Sequence, residues 1–186
     1  MISEEVLKGM FQPRTTPWRT SITKVGPNRL VTHGYPQEEL IGNISFPEMI
    51  HLLIKGVLPT QNQGKMLQAI LVSFCDHGVT PPSTQSARLM ASAGSPVNAC
   101  LAGGILAFGE NHAGAIELAM KMLQEGVTFS RDKELSLEET AQQMFDYFIN
   151  NDRKIPGFGH RYHNQDPRAP RLIELSKEYD CFKEHA

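Results

Sequence analysis

From Tyr35 onward the chain reads as helices: apolar residues recur at three- and four-residue intervals in segments punctuated by glycine or proline. Ser45 is placed to cap a helix through Phe46, Met49, Ile50, Leu53 and Ile54, with Pro47 in its first turn and Gly56 ending it. A second helix opens at Thr60, carries Met66, Leu67, Ile70, Leu71 and Phe74, and runs out at Asp76-His77-Gly78 ahead of the breaker Pro81-Pro82. A third is predicted over residues 83–93, ending at Gly94, and a fourth over 96–108. That fourth segment holds Ala99, Cys100, Ala102, Gly103, Gly104 and Ala107. Glycine weakens an exposed helix, so this composition predicts close backbone approach to a neighbouring helix, with a dimer seam near residues 83–108 as the wider expectation. A fifth helix is predicted from near His112 to Gly126. A sixth opens on the capping-box pattern Ser136-Leu-Glu-Glu139 and runs to about Ile149, and a last one runs from Pro170 toward Glu178.

The N-terminal part differs. A short helix over 4–10 is interrupted by Pro13 and Pro17. Residues 19–25 then alternate and are rich in β-branched side chains, Gly26-Pro27-Asn28 turns the chain, and Arg29-Leu-Val-Thr32 returns it. This predicts a β-hairpin and no other sheet. The expected fold class is mainly α with one small N-terminal hairpin.

Length and charge bound the function. At 186 residues the chain suits one domain, or one domain in two lobes. Its 18 Lys+Arg against 20 Asp+Glu give a formal charge of −2. That argues against the basic face of a nucleic-acid binder and against a polybasic membrane anchor. The longest apolar runs, such as residues 100–108, are too short to span a bilayer. The start Met-Ile-Ser-Glu-Glu lacks the basic and apolar character of a leader, and Cys75, Cys100 and Cys181 suggest neither a disulfide framework nor a zinc site. The expectation is a reduced, cytoplasmic, soluble protein.

Three of the seven histidines stand at helix or loop boundaries beside glycines: His77, His112 and His160. A single histidine in such a place is commonly a cap or a surface residue, but three in one setting point to a site. The helix N-terminus beside His112 disfavours an added positive charge, and a neutral imidazole can hydrogen-bond a carbonyl or enolate oxygen without first losing a proton; triosephosphate isomerase is the general example of such an electrophile. Gly157 and Gly159 permit a tight turn ahead of His160 that presents backbone N–H groups. Arg161 and Arg168 offer guanidinium forks for carboxylates or phosphates. This favours a small, multiply anionic substrate. His160, His163 and Asp166 carry possible metal-ligand spacing, but Pro167 and the glycines put them in a loop where helical spacing carries little meaning, so no metal is expected. No Gly-x-Ser-x-Gly elbow occurs, and Gly103-Gly104 is not followed by the residues of a phosphate loop.

These motifs, in this order, resemble the citrate synthase superfamily. Ser21-Ile22 with Arg29-Leu-Val-Thr-His-Gly-Tyr-Pro-Gln-Glu-Glu-Leu40 resembles its N-terminal hairpin, and residues 46–60, ending Gly56-Val-Leu-Pro-Thr60, resemble the helix and turn that follow. Asp76-His-Gly78, Ser83-Thr84, Ala87-Arg88 and Ala91-Ser-Ala-Gly94 resemble a further block. Asn111-His-Ala-Gly-Ala115, Gly157-Phe-Gly-His-Arg161 and Asp166-Pro-Arg168 resemble the last ones. Pro17-Trp-Arg-Thr-Ser-Ile-Thr23 and Asp76-His-Gly78 look more like the citryl-CoA lyase branch, which includes the C-terminal part of ATP-citrate lyase.

The resemblance implies a two-lobed helical fold, here 1–112 for the large lobe with its hairpin and 113–186 for the start of the small one. It implies that His112 hydrogen-bonds the thioester oxygen of acetyl-CoA and stabilises its enol, and that His160 polarises the ketone of oxaloacetate. His77 and Arg168 would hold substrate carboxylates, while Gly157, Phe158, Gly159 and Arg161 would meet CoA. The expected chemistry is citryl-CoA cleavage to acetyl-CoA and oxaloacetate, with citrate synthesis as the alternative, no metal or redox cofactor, and a homodimer. Two departures stand out. The family's catalytic aspartate lies beyond the Asp-Pro-Arg block and has no counterpart in these 186 residues, which raises an inactive scaffold or regulatory subunit as a third reading. His112 sits in Asn-His-Ala-Gly where the family has Leu-His-Gly-Gly.

Overall fold

The computed structural model describes residues 3–5, 8, 19–76, 78–159 and 163–182. Most of the helix expected over 4–10, together with His77, His160 and Arg161, lies outside the described residues. The chain forms two compact units, residues 1–60 and 61–186.

The first unit holds β1 (Thr23–Gly26), β2 (Arg29–Thr32) and β3 (Tyr35–Pro36), antiparallel in the order β1-β2-β3. Thr23 faces Thr32, Gly26 faces Arg29, and Thr32 faces Tyr35 on its other side. Asn28, at φ +53, closes the predicted hairpin. The third strand corrects the expectation that helices begin at Tyr35. His33 and Gly34, at φ +46 and +91, form a second two-residue turn, the left-handed kind whose twist matches paired strands. Helix α1 (Gln37–Leu40) starts only after Pro36. Helix α2 (Phe46–Lys55) begins at the predicted Ser45, whose backbone N–H donates to the Glu48 carboxylate at 2.7 Å while its hydroxyl accepts from Glu48 N. It ends at Gly56, at φ +77. Among the described residues of this unit, Val31, Thr32, Leu40 and Leu52 are buried, and Leu52 is fully enclosed.

The second unit holds α3 (Gln61–Ser73), α4 (Pro82–Ser92), α5 (Val97–Leu106), α6 (Ala115–Lys133), α7 (Leu137–Asn150) and α8 (Arg168–Glu178). The small residues of α5 do what their composition predicts. Gly104 is buried, and a Cβ there would stand 3.2 Å from the Ser83 carbonyl oxygen and 3.5 Å from Ala87 Cβ, so α4 and α5 meet nearly backbone to backbone.

Gly126 departs from expectation. It does not end the fifth helix; it lies buried within α6, which begins three residues after His112 and continues to Lys133. A Cβ on Gly126 would stand 2.6 Å from Met144 Sδ, so this glycine marks where α7 crosses rather than a stop. The helix ends instead at Glu134, at φ +54, with Arg131 and Lys133 in its last turn, where cations suit the macrodipole. Helix α7 opens on the predicted capping box: the Ser136 hydroxyl accepts from Glu139 N at 3.2 Å and the Glu139 carboxylate accepts from Ser136 N at 2.9 Å. Helix α8 packs on α3 and takes Pro170 into its first turn, starting two residues earlier than expected.

Candidate active site

His112 is presented by a tight turn between α5 and α6. Gly109 N donates to the His112 carbonyl and His112 N donates to the Gly109 carbonyl, both at 2.9 Å, and Gly114 N reaches that same Gly109 oxygen at 3.0 Å. Closing the turn places Ala113 at φ +69, a left-handed conformation that a residue with a Cβ adopts at a cost. Gly114 is required for a different reason: a Cβ there would stand 2.7 Å from the Gly109 oxygen and 2.8 Å from Glu110 Cα.

The turn fixes the backbone, and two side chains fix the half-buried ring. The Phe108 ring lies 5.1 Å away, tilted by 40°. His112 Nε2 stands 2.8 Å from the Ser83 hydroxyl in the first turn of α4. A hydroxyl donating to Nε2 puts the ring hydrogen on Nδ1, so a serine 29 residues away can set which nitrogen acts as a donor.

The glycine loop lies against the helix that this turn opens. Gly157 and Gly159 stand at φ +79 and +136, and Phe158 between them is 72% exposed. A Cβ on Gly157 would stand 2.7 Å from Ala119 Cβ and 4.0 Å from the Ala115 carbonyl. Only a glycine lets this loop sit on the N-terminal half of α6, the half nearest His112. Two motifs 45 residues apart in sequence thus share one helix end.

Arg168 opens α8 and is clasped at once. Its Nε donates to Asp166 Oδ1 at 2.9 Å, its Nη2 donates to Asp166 Oδ2 at 2.5 Å, and Nη1 donates to the Ser73 carbonyl at 3.3 Å. The last contact ties the start of α8 to the end of α3, four residues before His77. Those guanidinium hydrogen bonds, helped by the Arg168 backbone N–H, hold the Asp166 carboxyl far below the usual carboxylate range. Arg168 also borders a groove of about 490 Å³ between α3 and α8, lined further by Lys65, Val72, Arg171 and Leu175.

The structure therefore joins His112 to Ser83, Gly157 to α6, and Arg168 to Asp166 and the end of α3. In the sequence, Ser83 and Asp166 figure in family-like motifs, and Asp166 also in a possible metal-ligand spacing, but neither receives a role in the site. The Asp-Pro-Arg spacing, with its aspartate two residues before a helix-opening arginine, was the signal for the second. For Ser83, nothing local points to its partner His112, 29 residues away.

Comparison with known proteins bears on the same residues. The model of the citrate synthase C-terminal domain matches residues 60–185, the span that carries all of these contacts. The chain belongs to the citrate synthase family. It is 30% identical over 151 residues to the citrate synthase of Heyndrickxia coagulans, covering 80% of this chain and 38% of that protein. It is similar to the solved structure of citryl-CoA lyase from Hydrogenobacter thermophilus, with a TM-score of 0.79 and 40% identity over 90% of this chain and 63% of that one. An ATP citrate lyase of Methanosaeta concilii, solved with (3S)-citryl-CoA, shares the fold at a TM-score of 0.76 and 19% identity, covering 96% of this chain and 28% of that one. The chain thus spans well under two thirds of the citrate synthase it matches and just under two thirds of the citryl-CoA lyase. The expected citrate-synthase-like helical fold is the one found. Among the described residues, no helix is long and apolar enough to cross a membrane.

Proposed function

We propose that this chain carries the histidine and arginine side of a citryl-CoA lyase site, cleaving citryl-CoA to acetyl-CoA and oxaloacetate. The observation that carries the reading is the His112 imidazole held between Phe108 and Ser83 at the mouth of α6, within a chain 40% identical to a citryl-CoA lyase. In the cleavage direction, the C–C electron pair moves onto the thioester carbonyl as the substrate hydroxyl passes its proton to the His160 imidazole and becomes the oxaloacetate ketone. His112 donates a hydrogen bond to the thioester oxygen and stabilises the enol that forms. His160 polarises the nascent ketone, and His77 and Arg168 hold carboxylates. Gly157, Phe158, Gly159 and Arg161 meet CoA, which as part of the substrate leaves no need for a metal or redox cofactor. The aspartate that moves the acetyl proton in the family is assigned to no residue of this chain.

A citrate synthase is the second reading, favoured by the 30% identity to one. The two share the enol and the ketone and differ in hydrolysis of the citryl thioester, which only the synthase performs. The proposal extends to large and small lobes over 1–112 and 113–186 and to a cytoplasmic setting, which three free thiols suit. It also extends to a homodimer through α4 and α5, supported by the exposure of Leu89, Leu101 and Ile105 at 73%, 62% and 65%.

The test is to incubate the full-length protein with synthetic citryl-CoA while following free CoA, acetyl-CoA and oxaloacetate. Acetyl-CoA and oxaloacetate without hydrolysis establish the lyase. Citrate with free CoA establishes the synthase, and no reaction above background leaves the inactive scaffold.

A further inference from the structure

We infer that Asp166 is a positioning residue: it grips one edge of the Arg168 guanidinium and thereby aims the remaining N–H groups of that arginine at a substrate carboxylate. The inference rests on the reading above, in which Arg168 meets a carboxylate, and adds how that arginine is aimed. A guanidinium has five N–H donors in a rigid plane. Asp166 takes the Nε hydrogen, at 2.9 Å to Oδ1 and 3.1 Å to Oδ2, and one Nη2 hydrogen at 2.5 Å to Oδ2. The Ser73 carbonyl takes one Nη1 hydrogen at 3.3 Å. Counting bonds among the described residues, one hydrogen is left on each terminal nitrogen for a ligand carboxylate.

The aspartate is itself fixed. Its Oδ1 accepts from the Arg168 backbone N–H at 3.0 Å, so the carboxylate is anchored to the first residue of α8, and Pro167 between the two restricts the backbone that joins them. Both side chains are partly exposed, 40% for Arg168 and 23% for Asp166. A surface pair of this kind adds little to stability. Its consequence is geometric: it removes the rotational freedom that a bare arginine would lose on meeting its ligand. Among the described residues, the other Lys and Arg side chains lining the groove between α3 and α8 are differently engaged, Arg171 with Glu174 and Lys65 over the Tyr179 ring, while His163 adds a weaker electrostatic pull on Asp166.

The experiment is calorimetric titration of oxaloacetate into the full-length protein and its Asp166→Asn, Asp166→Glu, Arg168→Ala and Asp166→Asn/Arg168→Ala variants, with thermal midpoints recorded alongside. Asparagine keeps an oxygen for the Arg168 backbone N–H, so the turn survives. Asp166→Asn should weaken oxaloacetate binding about ten- to a hundredfold, as loss of alignment does. Asp166→Glu should restore part of the loss. With Arg168 already removed, Asp166→Asn should cost nothing further, because its effect runs through that arginine. In the condensation direction the KM for oxaloacetate should rise while that for acetyl-CoA holds. Unchanged or tighter binding in Asp166→Asn, or an equal loss with and without Arg168, would overturn the inference alone. No oxaloacetate binding by the unmodified protein would overturn the carboxylate reading and this inference with it.

Discussion

The His112 imidazole stands 2.8 Å from the Ser83 hydroxyl, a contact that crosses from the turn ahead of α6 to the first turn of α4. Because Gly104 seats α5 against the Ser83 backbone, the same helix pair that brings the serine into place also positions the turn after α5 that carries the histidine. Ring orientation is therefore a property of how two helices pack. If that orientation matters to the enol step, Ser83→Ala should lower turnover of citryl-CoA about ten- to a hundredfold. His112→Ala should lower it about a hundred- to a thousandfold. Both should leave the thermal midpoint within a few degrees. Wild-type turnover in Ser83→Ala would separate the serine from the chemistry.

Gly157 and Gly94 have nearly the same backbone, at φ +79 and +83, but different surroundings. A Cβ on Gly94 meets nothing within 4 Å, whereas one on Gly157 meets Ala119 at 2.7 Å. Gly94→Ala should therefore cost about 1–2 kcal/mol, the price of the left-handed backbone alone. Gly157→Ala adds about 1–3 kcal/mol of overpacking to a similar strain. Urea denaturation of the two variants reads the difference, and equal costs would mean that the loop simply lifts from α6.

Gly126 gives a reversal of sign. In an open helix, glycine to alanine gains about 1 kcal/mol. Here the new Cβ would meet Met144 Sδ at 2.6 Å, so Gly126→Ala should destabilise the protein. In a Met144→Ala background, the same substitution should stabilise it. A stabilising Gly126→Ala in the otherwise unchanged protein would contradict the crossing of α6 and α7.

Among the described residues, four carboxylates set an acid dependence, one of them Glu117, lowered by its hydrogen bond to Lys121. Asp166 is held well below the ordinary carboxylate range chiefly by the Arg168 side chain. Glu48 and Glu139 are lowered first by the backbone N–H groups of their capping serines, Ser45 and Ser136. A carboxyl with a depressed folded-state value binds protons more weakly folded than unfolded. Its contribution is thus complete above the unfolded value of about 4 and is lost as pH falls through the folded one. These groups are exposed and each adds little, so between pH 5 and 2 the urea midpoint should fall only slightly more steeply in the unmodified protein than in Asp166→Asn or Glu139→Gln. Equal slopes would remove those carboxylates from the account.

The helical frame was open to reading wherever its cause is local. Ser45 with Glu48, and Ser136 with Glu139, close capping boxes over three residues, so composition and spacing suffice to place the starts of α2 and α7. The close approach of α5 was also readable, since only a buried contact makes Gly103-Gly104 tolerable in a helix. Gly126 misled for the same reason: a glycine that ends a helix and one that admits a neighbour look alike until the neighbour, Met144, is known. Tyr35–Pro36 is too short to show a period, and its pairing with β2 depends on the turn at His33-Gly34.

By itself, the sequence determined the mainly helical fold, most helix starts and the family likeness, because hydrogen-bonded caps, periodicity and glycine conformations act over a few residues. Only the tertiary structure decided that Ser83 holds His112, that Gly157 seats its loop on Ala119, and that Arg168 reaches the Ser73 carbonyl. Those contacts join residues 29, 38 and 95 positions apart. What brings them together is helix packing, which depends on the shapes of both partners at once and leaves no signature in either segment alone.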